Sequence, residues 1–285
     1  MWLKGIVFAL LSLAFVITAV MAFGAIRWQS DTRGLHKKIE TARVPITRKT
    51  YNPRELEGLP APVQRYFEAV LKEGQPLVAA VSVEHTGTFN MSKTGEKWKP
   101  FRSTQRVIAN RPGFVWDARI RMAPAMTVHV HDAYVAGEGV LTAKLFGFLT
   151  VMKQSSAPEL AQGELMRFFA EAAWYPTALL PSQGVVWQAI DDTQARATLT
   201  DGATTVTLVF QFDAQGLISS VRSDGRYREV DGTLVATPWQ GRFWNYELCD
   251  GMLIPLDGEV AWLLPEGPKP YWSGRIQKIE YETAN

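Results

Sequence analysis

A chain of 285 residues is long enough for one large β domain or two smaller ones with a sizeable core. Hydrophobic residues make up 47% and charged residues 20%, with ten Trp, which excludes a disordered chain. The formal net charge of +2 is uneven. Residues 1–50 carry eight Lys/Arg against Asp31 and Glu40, and the other 235 residues hold 22 basic and 26 acidic side chains. A mildly acidic domain gives no basis for nucleic-acid binding. With Cys249 as the one cysteine, an intrachain disulfide and a cysteine-based zinc site are both excluded.

Residues 6–26, IVFALLSLAFVITAVMAFGAI, contain no charge. At about 1.5 Å per residue this run reaches roughly 30 Å, the thickness of a hydrocarbon core. Secretory signals have shorter apolar regions, so a retained anchor is expected over residues 1–28. AFGA at 22–25 is the alternative, a cleavage site. No Cys follows the run, which excludes lipoprotein processing. Trp2 and Trp28 bracket it, as interfacial aromatics do. The expectation is a single-pass membrane protein in contact with the bilayer through residues 6–26. Lys4 stands on one side, and Arg27, Arg33, Lys37, Lys38 and Arg43 on the other, which by the positive-inside rule holds the C-terminal side in the cytoplasm. A β-rich domain after one N-terminal anchor commonly faces outward in bacteria. The side stays open, with a weak lean to the extracytoplasmic one.

Residues 29–50 read as a basic linker, helical or extended. Asn52-Pro53 opens a short helical segment that breaks at Gly58, and Val63, Phe67, Val70 and Leu71 recur at helical spacing over 62–72. From Val78 the period becomes two. Strands are expected at 78–91, 101–109, 113–122 and 126–139, then a passage through 144–152 into a helix near 160–175. Further strands follow at 185–190, 195–200, 204–212, 217–223, 226–230, 233–248, 252–264 and 272–282. Asp201-Gly202, Asp231-Gly232 and Asp250-Gly251 mark tight turns between them. Such spacing is that of an antiparallel meander. The expected fold is therefore mainly β (α+β). Residues 51–285 form a curved sheet or half-barrel packed on one internal helix, behind an N-terminal transmembrane helix. The outline is similar to half-barrels of the lipoprotein-carrier type, a likeness of architecture alone.

Several phrases carry a family resemblance: LEGLPAPVQRYFEAVL, GFVWDARIRMAP, DAYVAGEG, GELMRFFAEAAWYPTALLP, TPWQGRFWNYE and GEVAWLLPEGPKPYW. Over roughly residues 50–283 the chain resembles an uncharacterised bacterial family, a domain of unknown function with an N-terminal apolar segment. The resemblance implies no activity, cofactor or catalytic residue.

Three residue groups are candidates for function. Glu164, Arg167 and Glu171 share one helical face. They form either a solvated stripe or a group turned into a cavity, where a buried Glu171 with raised pKa would serve as acid or base beside Trp174 and Tyr175. His129 and His131 point to one side of a strand and are a candidate metal pair, with His85 on a nearby strand. Trp239, Arg242, Trp244 and Trp272 lie in ring-rich stretches that form either sheet core or the wall of a site for an apolar ligand with an acidic head. No nucleophile elbow, phosphate loop, dinucleotide fingerprint or zinc helix appears, and no cofactor is expected. The reading that follows is a membrane-anchored module binding a lipid or other apolar ligand. The alternatives are an enzyme using Glu171 and Arg167, and a scaffold for an envelope protein.

Overall fold

The computed structural model describes residues 2–92, 95–155 and 157–284. Helix α1, Trp2–Ala42, is followed by α2, Ala61–Val70. Six strands come next: β1 Val78–Asn90, β2 Trp98–Ile108, β3 Gly113–Ala123, β4 Met126–Val135, β5 Glu138–Leu145 and β6 Leu149–Ser155. Helix α3, Pro158–Glu171, and three short 3₁₀ turns lead to β7 Val186–Ala189. The chain finishes with β8 Gln194–Asp201, β9 Thr204–Phe212, β10 Ile218–Val230, β11 Thr233–Cys249, β12 Met252–Leu264 and β13 Gly267–Thr283.

The thirteen strands of the described residues form one antiparallel sheet in the order β6-β5-β4-β3-β2-β1-β13-β12-β11-β10-β9-β8-β7. Each half is a plain meander, and the pairing of β1 with β13 joins them. Strands β6 and β7 are thus the two edges, and the segment linking them has to cross the sheet. It crosses on the inside, where α3 meets β3, β4 and β5 on one wall and β9 and β10 on the other. One unclosed, curved sheet wrapped on an internal helix results, as the strand spacing implies.

Local chemistry accounts for the boundaries. Pro158 stands in the first turn of α3, where a missing N–H costs nothing, and Pro176 bars the helix from continuing past the Tyr175 region. The stretch 126–139 is not one strand. Ala136 and Gly137 both take positive φ, 55° and 90°, and turn the chain back into β5. Residues 144–152 complete a β5–β6 hairpin whose turn also has two positive-φ residues, Phe146 and Gly147.

The expected anchor and the expected linker as far as Ala42 are one continuous helix, and residues 43–50 are not helical. Residues 2–23 of α1 stand exposed, and from Gly24 onward the helix docks on the outer face of β2, β3 and β4. By length and composition α1 is able to cross a membrane. Trp28 is not an interfacial ring. It is 1% exposed, stacked on His131 at 3.7 Å, and its Nε1 donates to Asp117 at 2.9 Å. Ile39 packs further along against Ala80, Ile108, Val115, Ala133 and Val135. The main core lies on the inner face, around α2 and α3.

Candidate functional site

The helical face of Glu164, Arg167 and Glu171 turns inward, so the solvated-stripe alternative does not hold. Arg167 is gripped by two carboxylates: its Nε donates to Glu171 Oε1 at 2.8 Å and its Nη1 to Asp132 Oδ2 at 2.6 Å. Its guanidinium also lies over the rings of Phe114 and Trp116, at 4.7 and 5.0 Å. Gln105 Nε2 donates to the other Glu171 oxygen at 2.6 Å. Glu164 does not pair with Arg167. Its partner is Arg226, at 3.4 Å, and Arg226 also donates to the Tyr271 hydroxyl, which accepts from Trp239 Nε1 at 2.9 Å. A polar chain thus runs across the interior from β2 through α3 and β4 to β10, β13 and β11.

Burial, then the neighbouring Asp132 charge, pushes the Glu164 carboxyl well above the usual carboxylate range, while Arg226 and Arg167 pull it back down. Burial opposes the charge on Arg167, but Glu171, Asp132 and Glu164 together hold it protonated. The network therefore sets two arginines, Arg167 and Arg226, against the carboxyls of Asp132, Glu171 and Glu164.

Trp174, Tyr175, Trp239 and Trp272 are all buried on the inner face. Trp174 lies 6.5 Å from Trp272, and Tyr175 donates its hydroxyl to the Phe168 carbonyl at 2.7 Å. Arg242 and Trp244 do not join them. Trp239, Gly241 and Phe243 share the inner face of β11, so the period of two sends Arg242 and Trp244 outward, and Trp244 is 40% exposed. The arginines that do stand by the rings are Arg226, 5.2 Å from Trp239, and Arg228, 5.8 Å from Trp262. The register shift between Ser223 and Arg226 breaks the alternation that would have revealed them.

The histidines are divided between the two faces. His129 and His131 point to the outer side of β4, against Trp28, and Thr32 Oγ1 lies 2.7 Å from His131 Nε2. Burial lowers the His131 pKa to about 4, with Asp117 and Asp31 pulling it back up. His85 is on the inner face, 5.0 Å from Trp174, and burial followed by the Arg167 charge pushes it down to about 3. It cannot supply a third ligand to the outer pair. Among the described residues no three His, Cys, Asp or Glu side chains converge on a metal-holding group.

Helix α3 covers the inner face only in part. It crosses at the level of Gln105, Trp116 and Asp132. Nearer the β3–β4 turn, inward-facing Met122, Val128 and Ala143 pack on the core and remain half-buried. So do Phe89, Tyr271 and Trp262, with Phe89 5.9 Å and Trp262 5.5 Å from the Tyr271 ring. This largely apolar strip, interrupted by half-buried Lys99 opposite Phe89 and with half-buried Arg228 at its border, was not visible in the sequence. Alternation identifies inward residues and says nothing of which ones a crossing helix leaves bare.

Residues 57–281 match a family of unknown function, DUF6920. Among solved structures the chain is similar to a LolA superfamily protein from Nitrosomonas europaea, with 11% identity and a TM-score of 0.40 over 79% of this chain and 93% of that one. It is also similar to a β-barrel-like protein of another domain of unknown function, DUF1849, from Brucella abortus, with 12% identity and a TM-score of 0.23 over 72% and 99%. No curated protein matches.

Proposed function

The chain belongs to DUF6920, a family of unknown function, and we propose that it is a membrane-anchored module that binds an amphiphile in its half-barrel. The observation that carries this reading is the apolar strip of Met122, Val128, Ala143, Phe89, Tyr271 and Trp262, which α3 leaves half-buried on a concave face. Concave, mostly apolar sites with a few polar groups are what small ligands select. Arg228 over the Trp262 ring supplies a cation at the border of the strip, suited to an anionic head. The ligand class is therefore a lipid or lysolipid with a negative head. Glu171 and Arg167 hold the helix that forms the floor, since their charged atoms are taken up by each other, Asp132 and Gln105.

Native mass spectrometry of the full chain, released from detergent after incubation with anionic lysophospholipid, tests this. A retained lipid-sized adduct is expected. Ala143→Trp, which fills the strip, should weaken it, and Arg228→Gln should reduce the preference for anionic over zwitterionic heads. A bare protein mass from folded wild type would overturn the reading.

A further inference from the structure

The β5–β6 turn sits where α1 leaves the region of free helix. A β-carbon at Gly24 would overlap the Phe146 carbonyl oxygen, and one at Gly147 would come within 2.8 Å of the Gly24 carbonyl oxygen. The rings of Phe23 and Phe148 meet at 6.2 Å. The β3–β4 hairpin is tied to the same place, for Phe146 N donates to Thr127 O at 3.0 Å. These contacts fix the height of both turns against residues 23–28 of the helix.

Residues 2–23 are all exposed, and at about 1.5 Å per residue they extend some 33 Å, one hydrocarbon thickness. Docking begins where that length ends. A helix using those residues to cross a bilayer therefore brings the two turns to its surface. Their composition fits that position. Met126 is 37% exposed, and on the edge strand Leu149, Val151 and Met152 are 54%, 57% and 46% exposed. Phe146 and Phe148 stay half-buried beside them. Arg27, Arg121 and Lys153 are exposed on the same segments, at positions where cations meet lipid phosphates. Exposed apolar side chains grouped in this way mark an interaction surface.

We propose that the β3–β4 and β5–β6 turns lie in the headgroup and upper acyl region of the bilayer that α1 enters, as a second membrane contact that fixes the tilt of the domain. The occupant of this apolar surface is phospholipid. Continuity with the exposed span of α1 favours it over a second copy paired along β6. This contact rests on α1 spanning the membrane and is independent of what the concavity holds.

The full chain carrying Cys249→Ser, reconstituted at high dilution in anionic vesicles, takes an environment-sensitive fluorophore at Leu149→Cys, or at Met126→Cys should the first variant fold poorly. Phe15→Cys reports on the span, and Gln215→Cys reports on the turn beside α2. A blue-shifted label at 149 or 126, quenched by lipids brominated high on the acyl chain, is expected, with Gln215 in water and Phe15 quenched by deep bromines. Water-like, unquenched emission at 149 and 126 beside a quenched Phe15 would overturn the second contact and leave the span intact. Loss of quenching at Phe15 as well would remove both. Label-to-label excimers at 149 under dilution would also overturn it, in favour of pairing between copies. The part of the mass-spectrometric lipid adduct that Ala143→Trp removes reports on the concavity, and the labels at 149 and 126 report on the turns, so the two failures are separable.

Discussion

At the scale of single residues, the interior is organised around Arg167. One guanidinium holds α3 against β2 and β4 by meeting Glu171, Asp132 and Gln105, with Phe114 and Trp116 against its faces. A buried pair is a weak source of net stability, yet losing one partner leaves charge uncompensated in a poor solvent. Arg167→Met should therefore cost about 3–5 kcal/mol, because Asp132 and Glu171 both lose their cation. Glu171→Gln should cost less, since Asp132 still neutralises Arg167. Equilibrium denaturant unfolding of the two variants checks the order, and equal losses would contradict it. The i, i+4 pairing of Arg167 with Glu171 was legible in the sequence. Asp132 and Gln105 were not, because they come from strands 35 and 62 residues away along the chain.

At the scale of elements, α1 has two jobs along one axis. Its first part is apolar all round, while residues 24–42 present Gly24, Trp28 and Ile39 to the sheet. Gly24 is small because the Phe146 carbonyl occupies the space of a side chain. Valine there would gain somewhat under about 1 kcal/mol of helix propensity over glycine. Overpacking costs typically about 1–3 kcal/mol, so the clash wins. Gly24→Val should loosen the β5–β6 hairpin from the helix, read as faster amide exchange at residues 146–148 in the full chain. Unchanged protection would mean that the hairpin does not depend on this contact. Trp28 shows how a sequence reading goes astray at this scale. A tryptophan at the end of an apolar run resembles an interfacial anchor, but stacking on His131 and a hydrogen bond to Asp117 bury it in the domain.

At the scale of the whole molecule, the sheet has cores on both faces, and α1 covers the outer one. Removing the helix uncovers Ala80, Ile108, Val115, Ala133 and Val135 and leaves His131 without its ring partner. A chain beginning at residue 51 should be less stable than one beginning at Arg27 by at least about 3 kcal/mol, the scale of deleting one large buried ring. Thermal unfolding of the two truncated chains compares them directly. Equal midpoints would show that the docked half of α1 contributes nothing. The same geometry makes the sheet one body with residues 24–42 of α1, rather than a bead on a flexible tether.

Much of this architecture is written locally. Alternating apolar residues broken by Asp-Gly turns determined the meander, and the charge-free run of residues 6–26 determined a helix long enough to span a bilayer. The stretch around Phe168 and Phe169 determined a helix apolar enough to pack inside the sheet. Those features depend on periods of two and 3.6 and on backbone conformations that single residues dictate. Tertiary structure alone decided which face each candidate serves. It set His85 inside and His129 with His131 outside, exchanged Arg242 for Arg226 beside Trp239, and turned Glu164 from Arg167 to Arg226. It also decided where α3 stops covering the sheet, and so which inward-facing side chains stay half-buried. Each of these depends on a bulge, a crossing or a long-range pairing, and none of those leaves a periodic mark in the chain.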